Sequence, residues 1–378
     1  MNQWNRMRKV VAATSLVAAL GCGDDDGGGG DRRILLAPEG NRLWAYASDE
    51  RGTRAQVVIP SASDAPGSGR DINGQVCFEP GTGRFVAGED TGQPSPPPGW
   101  GLFELDGARV GELSAAQVGK LIPTFQGEPG EEGVPNSADP FGCAFLSDGR
   151  LLTTDIGNNQ SGPANGQLIL WFPPLDENDV RYCKLDIEIG TAGTIYVDAE
   201  DRVYVASARV APGVHRYTGP FPTSADAAGG CGRVDATGAP LADAVDRAVF
   251  IAADQNVAIV NGVAGTPTGT FYVSSVIGGI VAEYDGDGDF VRRVLEPLPG
   301  ETLGAEPLTN GAPLGVAADS DGTMYFADLG LVVSPGGIGP QPEGGSVRRV
   351  RFENGVPLPP EKINDGLTFP DALGVLER

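Results

Sequence analysis

The apolar positions of this chain fall in short β-rich runs, each opened by a turn residue and closed by a polar one. Gly149-Arg-Leu-Leu-Thr-Thr-Asp155 and Gly322-Thr-Met-Tyr-Phe-Ala-Asp328 share this frame. It returns as Gly83-Arg-Phe-Val-Ala-Gly-Glu89, Asp201-Arg-Val-Tyr-Val-Ala-Ser207, Gly269-Thr-Phe-Tyr-Val-Ser-Ser275 and, more loosely, Asn41-Arg-Leu-Trp-Ala-Tyr-Ala47. Self-similarity at intervals of some tens of residues decides a fold before any single motif does.

Every copy except the loosest is followed by a second run that opens on glycine, such as Gly101-Leu-Phe-Glu-Leu105 or Gly279-Ile-Val-Ala-Glu-Tyr284, and turn signals such as Asp106-Gly107 close these runs. Upstream of most copies lies a further run, among them Phe141-Gly-Cys-Ala-Phe145, Thr194-Ile-Tyr-Val197 and Pro313-Leu-Gly-Val-Ala-Ala318. Four short strands per unit and six units predict an all-β, six-bladed β-propeller, in which radial repetition leaves only short edges. A β-sandwich would leave six in-frame copies unexplained. Phe369-Pro-Asp-Ala-Leu-Gly-Val-Leu376 reads as an inner strand without following partners, while residues 33–59 have outer strands but a poor inner one. Pairing the two completes one blade, so the C-terminal strand is expected to close the ring on the N-terminal blade.

Composition agrees with a turn-rich β protein, since the 378 residues include 57 glycines and 31 prolines with 40% hydrophobic residues. Basic residues number 27 against 50 acidic ones, a net charge of −23, which opposes attraction to nucleic acid or an anionic membrane face. The one histidine, His215, excludes a zinc site built from several imidazoles and any mechanism needing two. Its place inside Val214-His-Arg-Tyr217 suits a packed or solvent-facing strand residue over a general base. The sequence has no Gly-x-Ser-x-Gly elbow and no phosphate loop or dinucleotide fingerprint between a strand and a helix, so serine hydrolysis and nucleotide cofactors have no support.

Arg6, Arg8 and Lys9 precede an apolar stretch from Val10 to Leu20, too short for a membrane span and suited to a secretory signal. Ala19-Leu20-Gly21-Cys22 resembles the bacterial lipoprotein box, with Ala19 where leucine is preferred. The expectation is a signal peptide over 1–21, a lipid on Cys22, an acidic glycine-rich tether over 22–32 and a propeller over 33–378. Gly23 after the cysteine, by resemblance to the enterobacterial sorting rule, implies the outer membrane. Membrane contact is then through the lipid alone.

In an exported protein the remaining four cysteines are expected to pair, and three connectivities are open. Cys77 and Cys143 hold like positions in the inner strands of consecutive units, and Cys183 and Cys231 like positions on their outer side. The register therefore predicts Cys77 with Cys143 and Cys183 with Cys231.

Pro313-Leu-Gly-Val-Ala-Ala-Asp-Ser-Asp-Gly-Thr-Met-Tyr-Phe-Ala-Asp328 resembles an NHL-type repeat, and residues 33–378 are similar to the superfamily of NHL and senescence-marker-protein/gluconolactonase propellers. Such a fold hosts many functions. The residues ending the recurring strand read Ala47, Glu89, Asp155, Ser207, Ser275 and Asp328. Three carboxylates at one mouth supply the oxygen ligands calcium takes, and Asn158 and Asn159 follow Asp155. The tentative metal set is Glu89, Asp155, Asn158 and Asp328. By resemblance to calcium-dependent lactonases and esterases, Glu39 matches a first-strand glutamate and Asn310 an asparagine ligand, although a full four-ligand set is not found. The same terminal aspartates, in NHL-like repeats, commonly bond neighbouring turns instead. Asp285-Gly-Asp-Gly-Asp289 reads as a hairpin turn, lacking the glutamate of an EF-hand loop. Two expectations result. The favoured one is a monomeric envelope module that binds a small molecule or an envelope protein without catalysis; the other is a calcium-dependent, lactonase-like hydrolase.

Overall fold

The computed structural model describes residues 32–48, 55–89, 98–123, 139–156, 166–186, 189–209, 212–225, 231 and 245–378, all within one compact unit. Alternating short β runs and glycine turns fold into 28 strands, numbered in chain order. The first blade holds β1 (Arg33–Glu39), β2 (Arg42–Ala47) and β3 (Ala55–Ile59). The second holds β4 (Ile72–Phe78), β5 (Arg84–Glu89), β6 (Gly99–Asp106) and β7 (Ser114–Leu121). The third holds β8 (Pro140–Phe145), β9 (Leu151–Asp155), β10 (Gln167–Trp171) and β11 (Tyr182–Asp186), and the fourth β12 (Ala192–Val197), β13 (Val203–Ser207), β14 (Gly213–Thr218) and β15 (Asp246–Ala252). The fifth holds β16 (Gly262–Gly265), β17 (Phe271–Ser275), β18 (Ile280–Tyr284) and β19 (Phe290–Leu295).

The sixth blade is elaborated. Its sheet runs β20 (Pro313–Ala318), β21 (Met324–Asp328), β24 (Gly345–Val350) and β27 (Glu361–Leu367), with hairpins β22 (Leu331–Ser334) to β23 (Gly337–Pro340) and β25 (Phe352–Glu353) to β26 (Val356–Pro357) inserted. The stretch from Pro335 to Gly345 contains β23, the second strand of the first of these hairpins. The last strand, β28 (Gly374–Glu377), pairs antiparallel with β1 through Ile34 opposite Leu376 and Leu36 opposite Gly374. The ring is closed by its C-terminal strand, and the protein is a six-bladed β-propeller.

That closure shifts one reading. In the first blade the strand order is β28-β1-β2-β3, so Asn41–Ala47 is the third strand and the true counterpart of the recurring segment is β1. Glu39, paired with Pro370 in an isolated bridge, takes the position assigned to Ala47. The sequence frame slipped because β1 and β2 are both apolar runs separated only by Gly40 and Asn41.

The inner strands β4, β8, β12, β16, β20 and β28 contact one another in a closed cycle. Each contributes one glycine to the closest approach: Gly74, Gly142, Gly193, Gly262, Gly315 and Gly374. A Cβ on Gly193 would fall on the carbonyl oxygen of Asn261 in the next blade, and one on Gly374 would fall on that of Val76. Only glycine lets the backbones pack this closely. The waist is pinned by side chains as well. Gln75 Oε1 accepts from the N–H groups of Cys143 (3.2 Å) and Ile195 (2.9 Å), and its Nε2 donates to Ile195 O at 2.9 Å, joining three blades. Thr154 Oγ1 accepts from Gly142 N and donates to Gly193 O, each at 2.7 Å.

Between blades, aliphatic and aromatic side chains form the core; Leu146, Leu170, Ile195 and Val205, for example, share the cluster between the third and fourth. Both predicted disulfides are present. Cys77–Cys143 joins neighbouring inner strands with Cα atoms 5.8 Å apart, and Cys183–Cys231 ties the segment before β15 to the outer strand β11 with Cα atoms 5.4 Å apart. The leader, Cys22, its tether up to residue 31, and Asn158 and Asn159 lie outside the described residues, as do 94–97 and 127–138.

Candidate functional site

The recurring strand delivers its terminal residue to one end of each blade, and every described carboxylate there is engaged. Asp155 Oδ1 accepts from the N–H of Asp139 at 2.9 Å. Asp328 Oδ1 accepts from Ala312 N at 2.7 Å and Gly330 N at 3.0 Å, while its Oδ2 takes Ser346 Oγ and Arg348 Nη2, each at 2.8 Å. Glu39 Oε1 accepts from Thr368 N at 2.7 Å and Oε2 from Trp44 Nε1 at 2.9 Å. Glu89 receives Gln117 Nε2 at 2.8 Å, with Lys120 at 3.4 Å and Arg70 at 3.5 Å. In three blades the acceptor holds the backbone just before the inner strand.

This is the turn-bonding arrangement, and it bears on calcium directly. Carboxylates already supplied with N–H donors or cations are poor ligands for a further ion, and the described residues contain no group of three or more His, Cys, Asp or Glu placed to hold a metal. Glu89, Asp155 and Asp328 are not among any such group in the described residues, and Asn158 lies outside them. Asn310, whose Nδ2 donates to Glu296 O at 2.8 Å, is spent on a loop. In the Asp285 turn, Oδ1 of Asp285 accepts from Asp287 N (3.0 Å) and Asp289 N (2.9 Å), a hairpin connection.

His215 is buried, its Nδ1 accepting from Arg247 Nε at 3.0 Å, and Arg247 and Tyr217 both bond Asp186 Oδ2 at 2.8 Å. The group is packed inside a blade.

A concave feature lies on the axis. Where the inner strands begin, a cavity of about 340 Å³ opens above the glycine waist. Its polar lining is Asn41, Asn73, Asp139, Thr191, Asn261 and Asp371. The apolar wall includes Phe141, Ile156, Val260, Leu314 and Phe369. A second hollow of about 360 Å³ lies at the other ends of these strands, beside Cys77, Tyr196 and Val375. An apolar cavity with a few convergent polar groups is the usual form of a small-molecule site.

Two of its groups are short of partners. Asn73 Oδ1 is buried with no hydrogen-bond partner among the described residues. Asp371 is 7% exposed, and its carboxyl receives a single long bond, from Gly74 N at 3.4 Å. Burial pushes the Asp371 carboxyl up to about 8; the Gly74 N–H opposes this slightly and the neighbouring Asp139 charge adds to it.

None of these axial residues was singled out by the repeat, which draws the eye to strand ends. A signal existed. Asn73-Gly74 and Asn261-Gly262 place an amide directly before the waist glycine, and Asp139 and Asp371 each stand three residues before theirs.

No family model matches the chain and no curated protein matches it. Solved structures do. A chain of a nidogen/laminin complex aligns over 91% of this chain and 98% of its own at 12% identity and a TM-score of 0.53. A luciferin-regenerating enzyme aligns over 79% and 80% at 13% identity and a TM-score of 0.47. A gluconolactonase of Xanthomonas campestris aligns over 79% and 83% at 13% identity and a TM-score of 0.43. The likeness is one of fold.

Proposed function

We propose that this chain is a ligand-binding propeller of the cell envelope, carried by a lipid on Cys22, that takes a small molecule into its axial cavity without turning it over. The observation that carries the reading is Asp371, a buried carboxyl at the end of an open cavity with one long hydrogen bond. Leaving a buried polar group short of partners costs stability, and the cavity is where the missing partner would sit. The lipoprotein-like Ala19-Leu-Gly-Cys22 supports an outer-membrane address, with residues 22–32 as tether.

The alternative, a calcium-dependent lactonase- or esterase-like hydrolase, requires oxygen ligands converging on one ion. Thermal melting of the full-length protein in detergent, in calcium and in chelator and against a panel of small organic compounds, separates the two. A rise in melting temperature with one class of organic compound is expected, lost in Ala208→Trp, which fills the cavity mouth. Stoichiometric calcium binding together with lactone hydrolysis would put the hydrolase in its place. Retention of Cys22→Ala in the membrane fraction would remove the anchor.

A further inference from the structure

Several buried carboxylates among the described residues come with two or more donors. Asp186 holds Arg247 and Tyr217, Asp319 holds Tyr325 and the N–H groups of Asp321 and Thr323, and Asp328 holds an arginine, a serine and two backbone amides. Asp371 departs from that pattern. Its carboxyl faces a cavity whose lining, among the described residues, includes a second acid, Asp139, and three asparagines, but no lysine or arginine. The buried oxygen of Asn73 lies against Gly88 of the neighbouring strand and is not offered to the cavity.

Acceptors in excess, with no positive charge, call for a ligand that brings both N–H donors and a cation. Two features separate an organic cation from a metal ion. A hard cation such as calcium takes 6–8 oxygen ligands at contact distance, and no group of three acidic or metal-ligating side chains is assembled among the described residues. The cavity, at about 340 Å³, has room for about ten non-hydrogen atoms at roughly 30 Å³ each, and Phe141, Ile156, Val260 and Leu314 offer them an apolar wall.

Resting on the reading of this cavity as a ligand site, we propose that its ligand is a small organic ammonium ion, the charged nitrogen held by Asp371 and the hydrocarbon part against the apolar wall. The three N–H bonds of a primary ammonium match the acceptors present. On binding, Asp371 releases to solvent the proton that burial holds on it in the free protein, and the ammonium and carboxylate then form a charge-assisted hydrogen bond.

Isothermal calorimetry on the full-length protein in detergent tests this with three probes of one shape: 2-phenylethylammonium, the neutral 2-phenylethanol and the anionic 3-phenylpropanoate, alongside methylammonium and butylammonium. The aryl ammonium is expected to bind at least about thirtyfold tighter than the alcohol, the low end of what a desolvated charge pair contributes, and the anion not at all. Asp371→Asn is expected to bring ammonium and alcohol to parity; binding of the alcohol confirms that the variant is folded. Equal or tighter binding of the alcohol in the wild-type protein overturns the cation while leaving the cavity as a ligand site. Undiminished ammonium preference in Asp371→Asn overturns the assigned residue. If no probe binds at millimolar concentration, both this inference and the ligand-site reading fall.

Discussion

The N–H of Asp139 and the Oδ1 of Asp155 are joined at 2.9 Å, so that a residue ending the second strand of a blade fixes the residue that enters the first. Ala312 with Asp328 and Thr368 with Glu39 repeat the relation. Asp139 lines the axial cavity, so Asp155 positions one residue of its wall.

Asp155→Ala should therefore destabilise the fold by about 1–3 kcal/mol, the cost of leaving a buried donor unpaired. Asp155→Asn, which keeps an acceptor, should lose less. Urea denaturation in calcium and in chelator checks both, and the loss should be the same in the two buffers. A loss seen only when calcium is present would return Asp155 to the role of metal ligand.

The pH dependence of stability should carry the mark of Asp371. Its carboxyl lies near 3.8 when unperturbed and is pushed up to about 8 in the folded protein. The folded state thus keeps a proton that the unfolded chain has released, so stability is full below pH 4 and falls as pH rises toward 8. The span has an upper bound on the order of 6 kcal/mol. Asp371→Asn should flatten this slope and be more stable than the wild type at pH 9. Parallel stability curves at pH 5, 7 and 9 for the two proteins would contradict the assignment.

The fold was legible because it depends on features that repeat: six turn-opened strands, a glycine in each inner strand and an incomplete blade at each terminus. The same register fixed the cysteine pairs. Blade assignment failed only at Asn41–Ala47, where two apolar runs lie back to back and nothing local says which one abuts the inner strand. The candidate site was harder to read. Asn73, Asn261 and Asp371 come together only because six inner strands converge, and a sequence shows no convergence. Conversely, Glu89, Asp155 and Asp328 look like a ligand ring in sequence because their partners Lys120, Asp139 and Arg348 sit at unrelated spacings.

Each disulfide should contribute comparably. The bridges span separations of 66 and 48 residues, and because loop-closure entropy grows only with the logarithm of length, each is worth about 4 kcal/mol in the chain-entropy view. Cys77→Ala with Cys143→Ala, and Cys183→Ala with Cys231→Ala, should both lower the urea midpoint under non-reducing conditions. Midpoints unchanged in either pair would show that the inner-strand contacts hold the blades without that bridge.

Ring closure depends on Gly374, because the neighbouring inner strand leaves no volume there. A side chain at this position would meet the backbone of Val76, and overpacking of this kind costs typically about 1–3 kcal/mol. The consequence exceeds the local strain. Displacing β28 removes the pairing that covers β1 from Arg33 to Leu36 and strips Leu373 from the cluster with Leu35 and Tyr46. An exposed, apolar strand edge is a template for association with another chain. Gly374→Val should accordingly both melt earlier and shift toward higher oligomers in size-exclusion chromatography, while Gly339→Val, where an added side chain meets nothing within contact range, should do neither. A monomeric Gly374→Val protein with wild-type melting would mean that β28 is dispensable for closing the propeller.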